Sequence, residues 1–211
     1  MKFMQSMFVG SGQALAIFAL TAALSVPLGI LVAIGRNSRF PILSQGVRIY
    51  QLIFRGTPLM LQLLFFYFGP YFLLGIRGAD KFTACVVAFV INYAAYFGEI
   101  FRAGINSISH GQFEAGKVLG YTKPQTFNRI VLPQVVKRVI PPVGSEFMVL
   151  IKDTALVQII AQPQLFDVAL KTASASVSIA PYVVAGIFYL VMNAVVELVF
   201  KRLENRLDYY K

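Results

Sequence analysis

The sequence predicts an all-α polytopic membrane protein with five transmembrane helices, and three observations carry that prediction. Of its 211 residues 57% are hydrophobic and only 13% are charged, about half the ~25% charged share of an ordinary soluble domain. The charged residues stand apart, separated by apolar runs long enough for the ~20 residues that one helical crossing needs. Basic residues collect on alternate connections between those runs, as the positive-inside rule requires. Too little polar surface remains for a soluble globule, and so apolar a chain is not disordered. Five crossings use nearly all of the length, so the chain reads as one domain over 1–211 with no room for a separate catalytic domain.

The first span covers 12–35. No charged residue occurs between Phe3 and Gly35, and the apolar core from Ala14 to Ile34 exceeds the ~7–15 residues of a secretory signal core. Pro27 and Gly29 are tolerable there because neighbouring helices re-satisfy the backbone. A basic turn with Arg36, Arg39 and Arg48 follows. The second span, 57–74, opens at Arg55-Gly56-Thr57-Pro58, where proline at a helix start costs no hydrogen bond. After a short loop with Arg77, Asp80 and Lys81 comes the third span, 82–101. The long polar stretch 102–138 separates it from the fourth span, 142–161, which Gln162-Pro163 stops. A Ser/Ala-rich loop over 164–180 leads to the fifth span, 181–200, and a basic tail.

Charge fixes the predicted orientation. Arg36, Arg39, Arg48, Lys117, Lys123, Arg129, Lys137, Arg138, Lys201, Arg202, Arg206 and Lys211 fall on one face, and only Lys2, Arg77, Lys81 and Lys171 on the other. The N-terminus is therefore expected outside and the C-terminus inside. The net charge of +10 belongs to these loops, since no basic cluster is large enough to form a nucleic-acid-binding domain. Ten tyrosines serve as interface anchors in a chain without tryptophan. The single Cys85 excludes a disulfide framework and a thiolate metal site.

Within the inner loop, Gly111 to Lys117 fits G-x-x-x-x-G-K, the opening of a phosphate-cradling loop. Val118 stands where Ser or Thr would hold Mg²⁺, and a membrane helix rather than a strand precedes it, so no ATP hydrolysis is expected of this chain. Read as a helix, Gln112 to Leu119 repeats at helical spacing and Gly120 suits a left-handed C-terminal cap. Small Ala115 and Gly116 would admit a close neighbour. A second helix is expected from Thr122 or Pro124, carrying Ile130 and Leu132 into Pro133. A helix–turn–helix projecting from the inner face has the shape of a docking knob, and a solvated connecting loop is the plain alternative. His110, the only histidine, reads as a solvated residue at the edge of the loop.

The loop resembles the hallmark of ATP-binding-cassette (ABC) transporter permeases, E-A-A-x3-G-x9-I-x-L-P. Here it reads Glu114, Ala115, Gly116, then Gly120, then Ile130, Leu132 and Pro133, with Gly116 replacing the second alanine. Arg55-Gly56-Thr57-Pro58-Leu59 with Gln62, Ala95-Tyr96 with Glu99 and Arg102-Ala103-Gly104-Ile105, Gly111-Gln112, and Ile151 to Leu156 resemble the polar amino acid uptake subfamily. The likeness runs over roughly residues 12 to 205. It implies a type I importer permease in a bacterial inner or plasma membrane. It also implies a second permease subunit, identical or different, two ATP-binding subunits carrying ATP and Mg, and an external amino-acid-binding protein. No cofactor is implied on this chain. Gly111, Gln112, Glu114, Ala115, Gly116, Leu119 and Gly120 would form the ATPase-coupling surface.

Charges inside spans cost ~2.5–3.5 kcal/mol on insertion scales and so default to function. Glu99, Glu146, Lys152, Asp153 and Glu197 are such charges. At 1.5 Å per residue Lys152 lies ~15 Å above Pro142 and Asn92 ~15 Å below Phe82, which brings both to the midplane. Asn92, Tyr96, Glu99, Glu146, Lys152 and Asp153 are accordingly the candidate substrate-binding set, with structural pairing as the alternative for each. Glu99 has Arg102 at i+3 and Glu197 has Lys201 at i+4, both within local pairing reach. Arg55 is open to two roles, capping the inner mouth or touching lipid phosphate. The leading expectation is a permease subunit of an ABC importer for a polar amino acid. The alternative is a secondary carrier or channel needing no ATPase. A membrane-embedded enzyme lacks the paired histidines or carboxylates it would need.

Overall fold

The computed structural model describes residues 2–78 and 80–207, and every regular element among them is helical. The order is α1 (Lys2–Arg36), α2 (Pro41–Gly56), α3 (Leu59–Leu74), α4 (Lys81–Asn106), α5 (His110–Val118), α6 (Lys123–Thr126), α7 (Leu132–Asp153), α8 (Leu165–Ser176) and α9 (Ala180–Leu207). A π-helical turn over Phe127–Val131 joins α6 to α7, and a 3₁₀ segment over Thr154–Ile160 follows α7. By length and composition α1, α4 and α9 can cross a membrane, and α2 with α3 makes a fourth candidate, bent by 106° at its break.

Helix α4 is the axis of the bundle. Its Phe89, Tyr93 and Phe97 are fully buried among Ile17 of α1, Leu63 of α3, Leu150 of α7 and Val157 of the 3₁₀ segment. Hydrocarbon chains are as apolar as leucine, so helices in a bilayer associate through close fit rather than hydrophobic burial. Helix α1 meets this demand with a buried stripe at spacings of three and four: Ala14, Ile17, Thr21, Ser25, Gly29 and Ala33. The closest approach is reciprocal. A Cβ at Gly29 would lie 2.6 Å from Cβ of Phe97, and one at Gly98 would lie 2.4 Å from Cγ1 of Val32.

The break between α2 and α3 leaves backbone carbonyls of the last α2 turn without helical donors, and a bilayer interior does not tolerate unpaired carbonyls. Two side-chain amides pair them. Asn92 Nδ2 donates to Phe54 O at 2.8 Å and to Gln62 Oε1 at 2.9 Å; Gln62 Nε2 donates to Phe54 O at 3.0 Å and to Thr57 Oγ1 at 2.8 Å. Tyr50 and Gln51 bind α2 to α4 through the carbonyls of Ile91 and Ala95. At the other end of α4, Asp80 caps the helix by accepting from Thr83 N and Thr83 Oγ1. The Thr83 hydroxyl bond, followed by its backbone N–H, holds that exposed carboxyl below its ordinary range. The cap is intact at neutral pH and is lost as pH falls through the lowered pKa.

Several expected boundaries move. Residues 41–56 form helix α2 instead of a basic turn, because the arginines sit on one side of an otherwise regular helix. Helix α1 starts at Lys2, well before residue 12. No helix end occurs at Pro133 or Pro142: α7 runs through Pro133, Pro141 and Pro142 to Asp153, and 154–160 tightens to 3₁₀. Pro133 falls in the first turn of α7, where its missing N–H costs nothing, and Pro141 and Pro142 release carbonyls near the exposed Arg138, where water reaches them. The loop over 164–180 contains α8, whose Asp167 pairs with Lys171 at 2.7 Å. Glu197 and Lys201 form no ion pair among the described residues.

Gly29→Val and Gly98→Val should each force α1 away from α4, at the 1–3 kcal/mol scale of about one overpacked site. Thermal unfolding of the purified protein in detergent should show a lowered Tm for both. Gly12→Ala and Gly186→Ala, whose added Cβ meets nothing within 4 Å, should not lower Tm, alanine being the better helix former; four equal values would contradict this packing.

Candidate functional site

Between α4, α7 and the end of α2 lies a groove of about 450 Å³ whose polar lining is Arg55, Tyr96, Glu99, Ser107, Arg138 and Glu146. Glu99 is held on one side by Arg102, whose Nε and Nη2 reach its two oxygens at 2.9 and 2.5 Å. On the other side Arg55 Nη1 stands 4.0 Å away. The Arg55 guanidinium lies over the Tyr96 ring at 5.3 Å, and Tyr96 OH donates to Arg55 O at 3.4 Å. Arg138 Nη1 donates to Ser107 Oγ at 2.9 Å and to Ser107 O. Further along the same helix pair, Tyr93 OH donates to Asp153 Oδ2 at 2.8 Å. Glu146 makes no ion pair among the described residues. The groove therefore presents carboxylate and guanidinium groups on facing helices, the complement of a zwitterion.

Tyr96, Glu99 and Glu146 come together in this groove, while Asp153 lies outside it, hydrogen-bonded to the buried Tyr93. Asn92 and Lys152 do not meet. Asn92 is 4% exposed and its amide hydrogens are taken by the α2–α3 break, so it belongs to the frame. Lys152 is exposed and does not line the groove. The hydrogen bond between α4 and α7 at this level runs from Tyr93 to Asp153, one residue on from each of the two. Tyr93 was legible only as the neighbour of Asn92, and Arg138 only as a loop charge.

The second feature is α5. Ser109 caps its start by accepting from Gly111 N, and Gly120 closes its end at φ 74°, with Tyr121 N donating to Gly116 O at 2.9 Å. The next turn is fixed by a capping box between Thr122 and Gln125. Gly111 to Lys117 is helical, not a loop between strand and helix. Gly116 is buried: a Cβ there would lie 2.4 Å from Thr126 Cγ2. Its small size serves the chain's own α5–α6 corner, which corrects its expected place on the outward surface. Gln134 of α7 bridges the two helices, donating to Gln112 Oε1 at 3.0 Å. Phe113 packs on Ile108, Val131, Val135 and Val139. Outward remain Gly111, Glu114, Ala115, Val118, Leu119 and Gly120, with Val118 88% and Leu119 65% exposed. His110 is exposed, with its ring 6.4 Å from Phe113.

Residues 25–209 match the family model of the binding-protein-dependent transport system inner membrane component. The chain is 36% identical over 194 residues to the arginine transport system permease protein ArtQ of Bacillus subtilis (strain 168), covering 92% of this chain and 88% of ArtQ. It is 30% identical over 199 residues to the glutamine transport system permease protein GlnP of Escherichia coli (strain K12), covering 94% and 91%. A solved amino acid ABC transporter, crystallised with histidines, superposes with a TM-score of 0.89 at 31% identity, covering 97% of this chain and 95% of that one. The MetNI methionine ABC transporter shares the fold alone, with a TM-score of 0.78 at 15% identity, covering 98% of each chain. A projecting capped helix hydrogen-bonded to a helix of the charged groove, on a chain matched along almost its whole length, places this protein in the binding-protein-dependent transport inner membrane component family, as a multi-pass permease subunit of an ABC importer.

Proposed function

We propose that this permease carries a polar amino acid inward, with ATP and Mg held by a separate pair of ATPase subunits and substrate delivered by an external binding protein. The chain would cross the membrane five times with its N-terminus outside, the broken α2–α3 pair and α7 with its 3₁₀ extension supplying the crossings between α1, α4 and α9. A second permease subunit, identical or different, would complete the pathway. One observation carries the reading: the knob is hydrogen-bonded to a helix that lines the groove. Gln112 of α5 is hydrogen-bonded to Gln134 at the base of α7, and α7 continues unbroken to Glu146 and Asp153. At 1.5 Å per residue, Glu146 lies ~18 Å and Asp153 ~28 Å beyond Gln134. A displacement of α5 by a closing ATPase would therefore be felt at the carboxylates.

Glu114, Ala115, Leu119 and Gly120, with the exposed Val118, would form the surface that seats in the ATPase, while Gly116, Gln112 and Gly111 fix its angle. Glu146 in the groove, with Asp153 about two turns further along α7, would hold the substrate ammonium, and Arg55 or Arg138 its carboxylate. Tyr96 and Glu99 orient Arg55. The relatives named for arginine and glutamine transport, and the solved amino acid ABC transporter containing histidines, support a polar α-amino acid as the class.

Three results would follow. Glu114→Arg should leave the complex assembled yet lower uptake by about tenfold, as a misplaced charge at a docking surface does; ATP hydrolysis should no longer respond to loaded binding protein. Undiminished uptake would remove the coupling role. Asp153→Asn should raise the half-saturating substrate concentration about tenfold, for one charge-assisted hydrogen bond lost, with basal hydrolysis retained, and an unchanged value would place the substrate elsewhere. Because Cys85 is buried, impermeant thiol reagents can read orientation: Asn128→Cys should label only from the inner side and Ser174→Cys only from the outer side, the reverse pattern inverting the topology.

A further inference from the structure

A second groove, about 480 Å³, opens beside the first between α1, α2 and α4. Four arginines line it: Arg36, Arg48, Arg55 and Arg102, with Glu99 the one carboxylate among its lining residues. That carboxylate is already bound bidentately by Arg102. Arg36 Nη1 donates to Ser44 Oγ at 2.9 Å, and among the described residues neither Arg36 nor Arg48 makes an ion pair. Three positive charges thus remain uncompensated in one concavity. Electrostatic repulsion among them is a standing cost unless an anion occupies it.

The depth of the groove identifies the anion. Arg36 is the first charge after the uncharged run that begins at Phe3, and it ends α1; Arg102 stands in the last turns of α4. Asn37 and Asn106 join these two helix ends, Nδ2 to Oδ1 at 3.4 Å. Arg36 and Arg102 therefore lie at the level where hydrocarbon gives way to headgroups. Leu52, 72% exposed, lines the same groove, and Ile42 and Ile49 extend an apolar strip along the outside of α2. A guanidinium fork matches phosphate geometry, and an apolar strip beside it suits a glycerol backbone and acyl chains. A basic pocket between helices on the inner side is the form that headgroup recognition takes.

We infer that this groove holds the phosphate of an anionic glycerophospholipid from the inner leaflet, bound by Arg36 and Arg48 with support from Arg55 and Arg102. The inference rests on the inside placement of the α1–α2 corner proposed above. Because Arg55 and Glu99 line both grooves, the bound lipid also fixes the electrostatics of the neighbouring substrate groove.

The test uses the purified transporter complex in nanodiscs of phosphatidylcholine with a minor share of phosphatidylglycerol, followed by native mass spectrometry of retained lipid. Wild type should retain phosphatidylglycerol over phosphatidylcholine; Arg48→Gln should lower that retention about fivefold, and Arg36→Gln with Arg48→Gln further, at about fivefold per arginine near a membrane surface. Arg48→Lys should restore part of it, and Arg129→Gln, on the knob, should change nothing. Equal loss in Arg48→Gln and Arg129→Gln would overturn the site in favour of diffuse surface charge, with the thiol-labelling result on orientation untouched. Displacement of the lipid by millimolar inorganic phosphate alone would overturn the lipid in favour of a soluble anion. Retention unaffected by any of the arginines would overturn the inference outright.

Discussion

The contact of Gly116 with Thr126 is where the working parts of this protein become one body. A helix that protrudes from a membrane on a short loop transmits force only if its angle is fixed, and three constraints fix it here. Gly116 lets the Thr126 side chain approach closer than any Cβ would permit, Gly120 turns the chain at a positive φ, and the Thr122–Gln125 box starts the next helix without a free residue between. Gln134 then ties α5 to the base of α7. Each element is small, and together they tie the knob to the helix that carries Glu146 and Asp153.

The membrane interior imposes the second organising demand. Every polar backbone group there must find a partner within the protein, and the α2–α3 break is tolerable because Asn92 and Gln62 supply one. The break in turn allows α2 to leave the axis of α3 and to lay Arg48 and Arg55 beside Glu99 and Arg102 of α4. Pairing of the broken backbone thus determines where the basic groups stand, and both grooves follow from it.

Sequence reasoning reached the helical class, the knob and its C-terminal glycine cap, because those signals are local: a hallmark spacing and a glycine after the last helical turn. Glu99 paired with Arg102 through the same local rule. What it missed depends on long-range geometry. Asn92 looked like a midplane ligand because nothing in its own helix shows that the α2–α3 break faces it. Tyr93, its neighbour, makes the contact to Asp153 across α4 and α7. Residues 41–56 hid as a turn because the arginines interrupt the apolar run without interrupting the helix. Gly116 was read as an outward surface because the residue that fills the space above it, Thr126, lies on the far side of a turn.

The decisive measurement is a pair of distances in the assembled complex through the nucleotide cycle, by pulsed electron spin resonance on labels placed at exposed sites. A label pair at Lys117 of α5 and Ser145 of α7 should keep one distance with and without bound nucleotide, while a pair at Ser145 and Gly12 of α1 should shift between two. A Lys117–Ser145 distance that changes with nucleotide would show the knob moving on its own and would contradict a rigid link from the coupling helix to the carboxylates.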